Sequence, residues 1–87
     1  MLRISQLETD GIVTLHLEGK LLAPWVAEVE ALLPRGGSDR SRVDLADVSF
    51  VDRAGAELLL DLRRRGVLLV GCSQFVAELL RAESGRA

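Results

Sequence analysis

Eighty-seven residues of net charge −2 form one small domain, in the size range that buries about 60–65% of its unfolded surface. Hydrophobic residues make up 48% of the chain and Cys72 is the single cysteine, so a core forms without staples, a disulfide framework is excluded, and a reducing compartment fits. Lys20 is the one lysine among 11 basic residues. That balance gives no basic footprint for nucleic acid. The longest apolar runs are too short to span a bilayer, and the first residues lack the apolar stretch of a signal peptide; the chain reads as soluble and cytoplasmic, without direct membrane insertion.

Taken in order, Leu2 and Ile4 alternate with Arg3 and Ser5, and Val13, Leu15 and Leu17 alternate with Thr14, His16 and Glu18. Period-2 alternation predicts half-buried strands, and Asp10-Gly11 between them predicts a tight hairpin. Pro24 suits the first turn of a helix. Trp25, Val26, Val29, Leu32 and Leu33 recur at spacings of three and four, which predicts an amphipathic helix closed by Pro34 and a polar loop, Arg35 to Arg40. A third strand follows over Arg42 to Ala46.

Asp52 to Gly66 predicts a second helix, with Leu58, Leu59 and Leu62 opposite Glu57, Asp61, Arg64 and Arg65. Asp52 is placed as its N-cap and Gly66 as its C′ residue. Val67 to Val70 is an uninterrupted apolar run, as in a strand covered on both faces. Ser73 caps a last helix whose stripe is Phe75, Val76, Leu79 and Leu80, and residues 83–87 form a fraying tail. The order is β-β-α-β-α-β-α over one domain, residues 1–87. Its β-α-β units require crossovers, so the fold class is α/β: a small mixed sheet with helices packed against it.

The chemical inventory is thin. His16, the one histidine, sits on a polar strand face and reads as a surface residue without an identifiable nucleophile. One histidine and one cysteine offer no metal-ligand spacing, so no metal site and no cofactor are expected. Cys72 follows a strand and reads as an inert core thiol rather than a reactive one. Gly36-Gly37 reads as a turn, since no lysine-plus-serine/threonine phosphate signature follows. Arg63-Arg64-Arg65 reads as a solvated helix end. Asp44, Asp47 and Asp52 flank one loop without a visible acid or base partner. By elimination, a binding or regulatory module outranks an enzyme.

Val43 to Gly55, reading VDLADVSFVDRAG, resembles the signature of the STAS domain, the sulfate-transporter and anti-sigma-factor-antagonist family. Asp44-Leu45 matches its strand element, Val48, Phe50 and Asp52 its approach, and Ala54-Gly55 the start of its helix. Leu17-Glu18-Gly19 resembles the family's opening motif, with Leu22 and Ala23 where polar residues are common. Val70-Gly71 leading to Ser73 matches the next element. The family often continues past a third helix.

The resemblance implies a STAS-like fold and a role in binding other proteins. In the antagonist branch a serine or threonine after the aspartate is phosphorylated by a partner kinase, where a helix N-terminus receives the added charge. Arg53 stands at that position, so the phosphoacceptor is missing; Ser49 is the nearest other hydroxyl and is not expected to replace it. An arginine at the amide end of a helix gains nothing from the dipole. It either points into water beside Asp52 or Glu57, or presents a fixed charge for docking.

Leu22, Trp25, Asp52, Arg53, Ala54, Gly55 and Leu60 are the candidate partner-binding residues. Trp25 is placed as a core plug that becomes an aromatic anchor wherever it is exposed, and Leu60 as a rim contact. The partner implied is an anti-sigma factor or its kinase or, alternatively, the ATPase of an ABC-type lipid transport system. Sensing of a nucleotide or another anion near Arg53 is the third reading.

Overall fold

The computed structural model describes residues 2–33 and 41–84. Strands β1 (Leu2–Thr9) and β2 (Ile12–Leu21) pair antiparallel from Leu2 opposite Gly19 to Thr9 opposite Ile12. Asp10 and Gly11 turn the chain with φ of 54° and 80°, the double positive φ that a two-residue type I′ hairpin requires. Helix α1 (Ala23–Leu32), strand β3 (Ser41–Val51), helix α2 (Arg53–Arg64), strand β4 (Leu68–Val70) and helix α3 (Gln74–Ser84) complete the predicted order.

The sheet runs β1-β2-β3-β4, with β3 parallel to both neighbours. Successive right-handed crossovers that step the same way along a sheet place their helices on the same face. Val29 of α1, Leu58, Leu59 and Leu62 of α2 and Val76 and Leu80 of α3 accordingly join Leu15, Leu17, Val43 and Leu45 in one core cluster. The opposite sheet face carries Thr14, His16, Arg42 and Asp44, and among the described residues no helix packs over it.

Strand β3 reaches Val51, beyond the Ala46 limit expected from alternation. Its register against β2 slips by one residue between the pairs His16–Asp44 and Glu18–Asp47, and again between Gly19–Val48 and Lys20–Phe50. Each slip is a bulge that adds a residue to β3. The inward positions therefore run Val43, Leu45, Val48 and Val51, a spacing that changes from two to three. A search for period 2 loses the strand at the first bulge.

Helix α2 packs against both α1 and α3, so its flanks are covered as well as its central stripe. Leu60 is 6% exposed within the core, and the rim-contact expectation for it is corrected. The helix ends in a Schellman motif: Val67 N–H donates to the Leu62 carbonyl at 2.9 Å and Gly66 N–H to that of Arg63 at 3.1 Å. Arg65 then pairs with Asp61 at 2.9 Å and approaches Glu30 of α1 at 3.9 Å.

Some apolar positions lie further out than expected. Leu32 and Phe75 are exposed, because α1 buries mainly Val29 and α3 turns Val76 and Leu80 inward. Phe75 meets Phe50, also exposed, in a stacked pair, ring centres 6.2 Å apart. Strand β4 is an edge, and Leu68 is 53% exposed, so it is not covered on both faces. Glu83 and Ser84 belong to α3. The turn at Gly36-Gly37, the loop from Pro34 to Arg40 and residues 85–87 lie outside the described residues.

Candidate functional site

Two helices begin at one carboxylate. Asp52 closes β3 with extended backbone, and its Oδ1 accepts from Gly55 N–H at 2.8 Å, capping α2. Its Oδ2 accepts from Ala23 N–H at 2.9 Å. Ala23 opens α1, whose N-cap residue, Leu22, has no side-chain acceptor to offer. One side chain thus satisfies orphan amides at two helix N-termini, where partial positive charge favours an anion. Asp52 N–H in turn donates to the Leu21 carbonyl at 3.1 Å.

Gly55 makes this junction possible. A Cβ there would lie 2.6 Å from the Leu21 carbonyl oxygen and 2.9 Å from Val51 Cγ1. No side chain fits without moving backbone. Gly55 therefore shapes the junction from beneath and is buried.

Around Asp52, Arg53 projects outward, 68% exposed, with Nε 3.6 Å from Glu57 one turn on. Ala54, Leu22 and Trp25 are half-buried. Trp25 packs against the core yet keeps part of its ring at the surface, combining plug and potential anchor. The structure brings Leu22, Trp25, Asp52, Arg53, Ala54 and Gly55 to one end of the sheet. Leu60 is buried in the core instead. Ser49 lies in β3, where its hydroxyl donates to the Gly19 carbonyl at 3.2 Å.

A second constellation escaped the sequence reading. On the open sheet face, His16 Nδ1 lies 3.2 Å from Asp44 Oδ2 and Nε2 lies 2.8 Å from Asp47 Oδ2. The expectation that these aspartates lack a partner is corrected. The first β3 bulge is the reason: in an unbroken strand Asp47 would share the inward face of Val43 and Leu45, whereas the added residue turns it outward beside Asp44. Parallel pairing of His16 with Asp44 was the one available clue, and it needed the strand register.

Both ring nitrogens face carboxylates, an arrangement suited to the imidazolium, in which both donate. The hydrogen bond to Asp44 is the main cause raising the His16 pKa above its ordinary 6.5, partial burial opposes it, and Asp47 adds to it. The Asp44 carboxyl is lowered from 3.8, first because Oδ1 accepts from Ala46 N–H at 3.0 Å, against the effect of burial, and then through His16. Glu18 stands beside them: donor atoms of His16, Glu18 and Asp47 lie within 4.8 Å of one another. Linear spacing gave no sign of this three-dimensional grouping.

Cys72 is surface-exposed rather than a core residue. Partial burial of its thiol nevertheless pushes the pKa up, with Arg63 acting in the opposite direction, which disfavours the thiolate. It lines a pocket of about 390 Å³ between β4 and α3 together with Val67, Leu69 and Leu80. Among the described residues no helix is long and apolar enough to cross a membrane.

No family model and no curated protein matches the chain. Solved structures do. The anti-sigma factor antagonist SpoIIAA in its unphosphorylated form superposes with a TM-score of 0.68 at 17% identity, over 93% of this chain and 82% of that one. An antisigma-factor antagonist STAS domain from Rhodobacter sphaeroides gives 0.61 at 23% identity, over 80% of this chain and 86% of the other. An uncharacterized protein with a SpoIIAA-like fold from Shewanella loihica gives 0.55 at 14% identity, over 93% and 75%. Together with the order β-β-α-β-α-β-α, these superpositions give the chain the STAS, or SpoIIAA-like, fold.

Proposed function

We propose that this protein is a non-enzymatic, cytoplasmic, regulatory module that binds another protein through the end of the sheet built around Asp52. The observation that carries the reading is the paired helix start. One carboxylate fixes α1 and α2 together and thereby holds Arg53, Ala54, Leu22 and the exposed part of Trp25 in one patch. A rigid patch with a central aromatic and an arginine is the kind of surface that contributes most of the affinity in protein interfaces. The fold shared with anti-sigma-factor antagonists supports an anti-sigma factor or its kinase as the partner class.

Regulation here does not run through phosphorylation of the residue after Asp52. Arg53 offers no hydroxyl, and the charge it presents is fixed and positive where a phosphate would be negative. Anion sensing at the same place is disfavoured, because Asp52 already fills both helix N-termini from within.

Capture of partners from the native cell tests the reading. Arg53→Glu, a surface change, and Trp25→Ala, with folding checked by circular dichroism, should each deplete a common partner at least tenfold. An unchanged set of captured proteins sinks the docking face. A kinase specific for the family serine site should leave the Asp52–Gly55 turn unmodified, as read by mass spectrometry.

A further inference from the structure

The open sheet face carries a second site, independent of the docking end. From the grouping of His16, Glu18 and Asp47 we infer that this face binds one divalent transition-metal ion, of the class of Zn²⁺. The ion takes His16 Nε2 and carboxylate oxygens of Glu18 and Asp47 as ligands, with Asp44 holding the imidazole from behind.

Distances favour this set. Two ligands each about 2.1 Å from a tetrahedral zinc ion stand about 3.4 Å apart, a spacing these side chains reach by small rotations. His16 Nε2 and Asp47 Oδ2 are 2.8 Å apart, and all three donor groups fall within 4.8 Å. Entry of the ion replaces the proton on Nε2 and requires side-chain rotation rather than backbone movement. One imidazole with two carboxylates is a donor set suited to first-row divalent ions.

The neighbouring contact is the kind that orients a metal-bound histidine. A ligating imidazole usually donates its other N–H to a carboxylate, which fixes tautomer and ring plane. Nδ1 faces Asp44 Oδ2 at 3.2 Å, and Asp44 is itself anchored by Ala46 N–H through Oδ1. The ligands come from adjacent strands, Glu18 pairing with Asp47 across the first bulge. Rigid strands hold such a constellation better than loops do.

Charge provides a further reason. Three carboxylates, Glu18, Asp44 and Asp47, surround one imidazole. Arg3 stands opposite Glu18 on β1, and Arg42 precedes Asp44 by two residues on β3. Among the described residues, neither arginine is ion-paired with any of the three carboxylates. Even with His16 protonated, the group keeps negative charge in excess, and a dication neutralises it more fully than a proton does. The remaining coordination positions face water, as no helix of the described residues covers this side.

The test is calorimetric titration of the full chain with ZnCl₂ in a Cys72→Ser background, which removes the one thiol as a competing ligand. One equivalent should bind, and ¹H–¹⁵N spectra should shift around residues 16, 18 and 47. His16→Gln should abolish binding. Glu18→Gln and Asp47→Asn should each weaken it at least tenfold, and Asp44→Asn about 10–100-fold, as loss of an orienting partner does. These substitutions lie on the open face, and retained ¹H–¹⁵N dispersion with cooperative unfolding in chelator, its midpoint lowered only by the small amount an exposed ion pair contributes, verifies the fold. No saturable heat, or binding that Glu18→Gln and Asp47→Asn leave intact, overturns the site. So does a spectral shift confined to the N-terminus.

Discussion

The two faces of the sheet treat their carboxylates differently. On the helix-covered side, Asp52 is held by backbone amides of Gly55 and Ala23. These donors cannot leave without undoing two helix starts. On the open side, Asp47 is held by one imidazole, and Asp44 by that same ring together with Ala46 N–H; the imidazole can lose a proton, turn, or take a metal ion instead. Amide-bound carboxylates build architecture, whereas side-chain-bound ones at an open surface leave room for exchange. Substitutions on the covered side should therefore cost stability, and those on the open side should change titration and ligand binding.

The largest expected effect is Leu60→Ala. Leu60 is a core residue of α2, and its truncation should cost about 2–5 kcal/mol. A rim residue would change stability by less than about 0.5 kcal/mol. Urea unfolding separates the two outcomes. Gly55→Ala comes next and has an inverted sign. In an open helix that change gains about 1 kcal/mol, but the Leu21 carbonyl blocks the new methyl here, and a loss of about 1–3 kcal/mol is expected.

Asp52→Ala removes one cap and a partner for the first amide of α1. Water can reach Ala23, so the expected loss is about 1–2 kcal/mol rather than that of two buried bonds. Asp52→Asn should fall between wild type and Ala. Its amide keeps one acceptor oxygen, while its NH₂ faces a backbone donor. If Asn matched Asp in urea unfolding, only one of the two amide contacts would contribute.

How far all this was legible in the sequence follows the same division. The hairpin, the cap at Asp52 and the leucines of α2 are local signals: alternation, a turn dipeptide and helical spacing. Even Leu60 failed only because wheel geometry does not reveal how many neighbours a helix has. Phe50 and Phe75 lie 25 positions apart, and their stacking has no local trace. The His16 cluster was invisible for a sharper reason. A bulge changes which residues share a face without leaving a compositional mark, so Asp47 looked loop-bound until the β2–β3 register was known.

The smallest expected effect lies on the open face and depends on pH. His16 has a raised pKa in the folded chain, so its contribution is complete below 6.5 and is lost as pH rises through the folded value. Asp44 is lowered from 3.8, so its contribution is present above 3.8 and is lost as pH falls through the folded value. The pairing is fullest between those two ordinary values. In chelator-treated protein, His16→Gln should therefore be less stable than wild type near pH 5, by under about 1 kcal/mol for so exposed a group. The difference should shrink as pH rises past the folded His16 pKa, which ¹H–¹⁵N titration of the imidazole reads directly. A gap independent of pH from 5 to 9 would mean that His16 contributes by packing alone and that its grip on Asp44 and Asp47 carries no charge-dependent stability. Nor would the Asp52 junction be affected, because its partners are amides that do not titrate over this range.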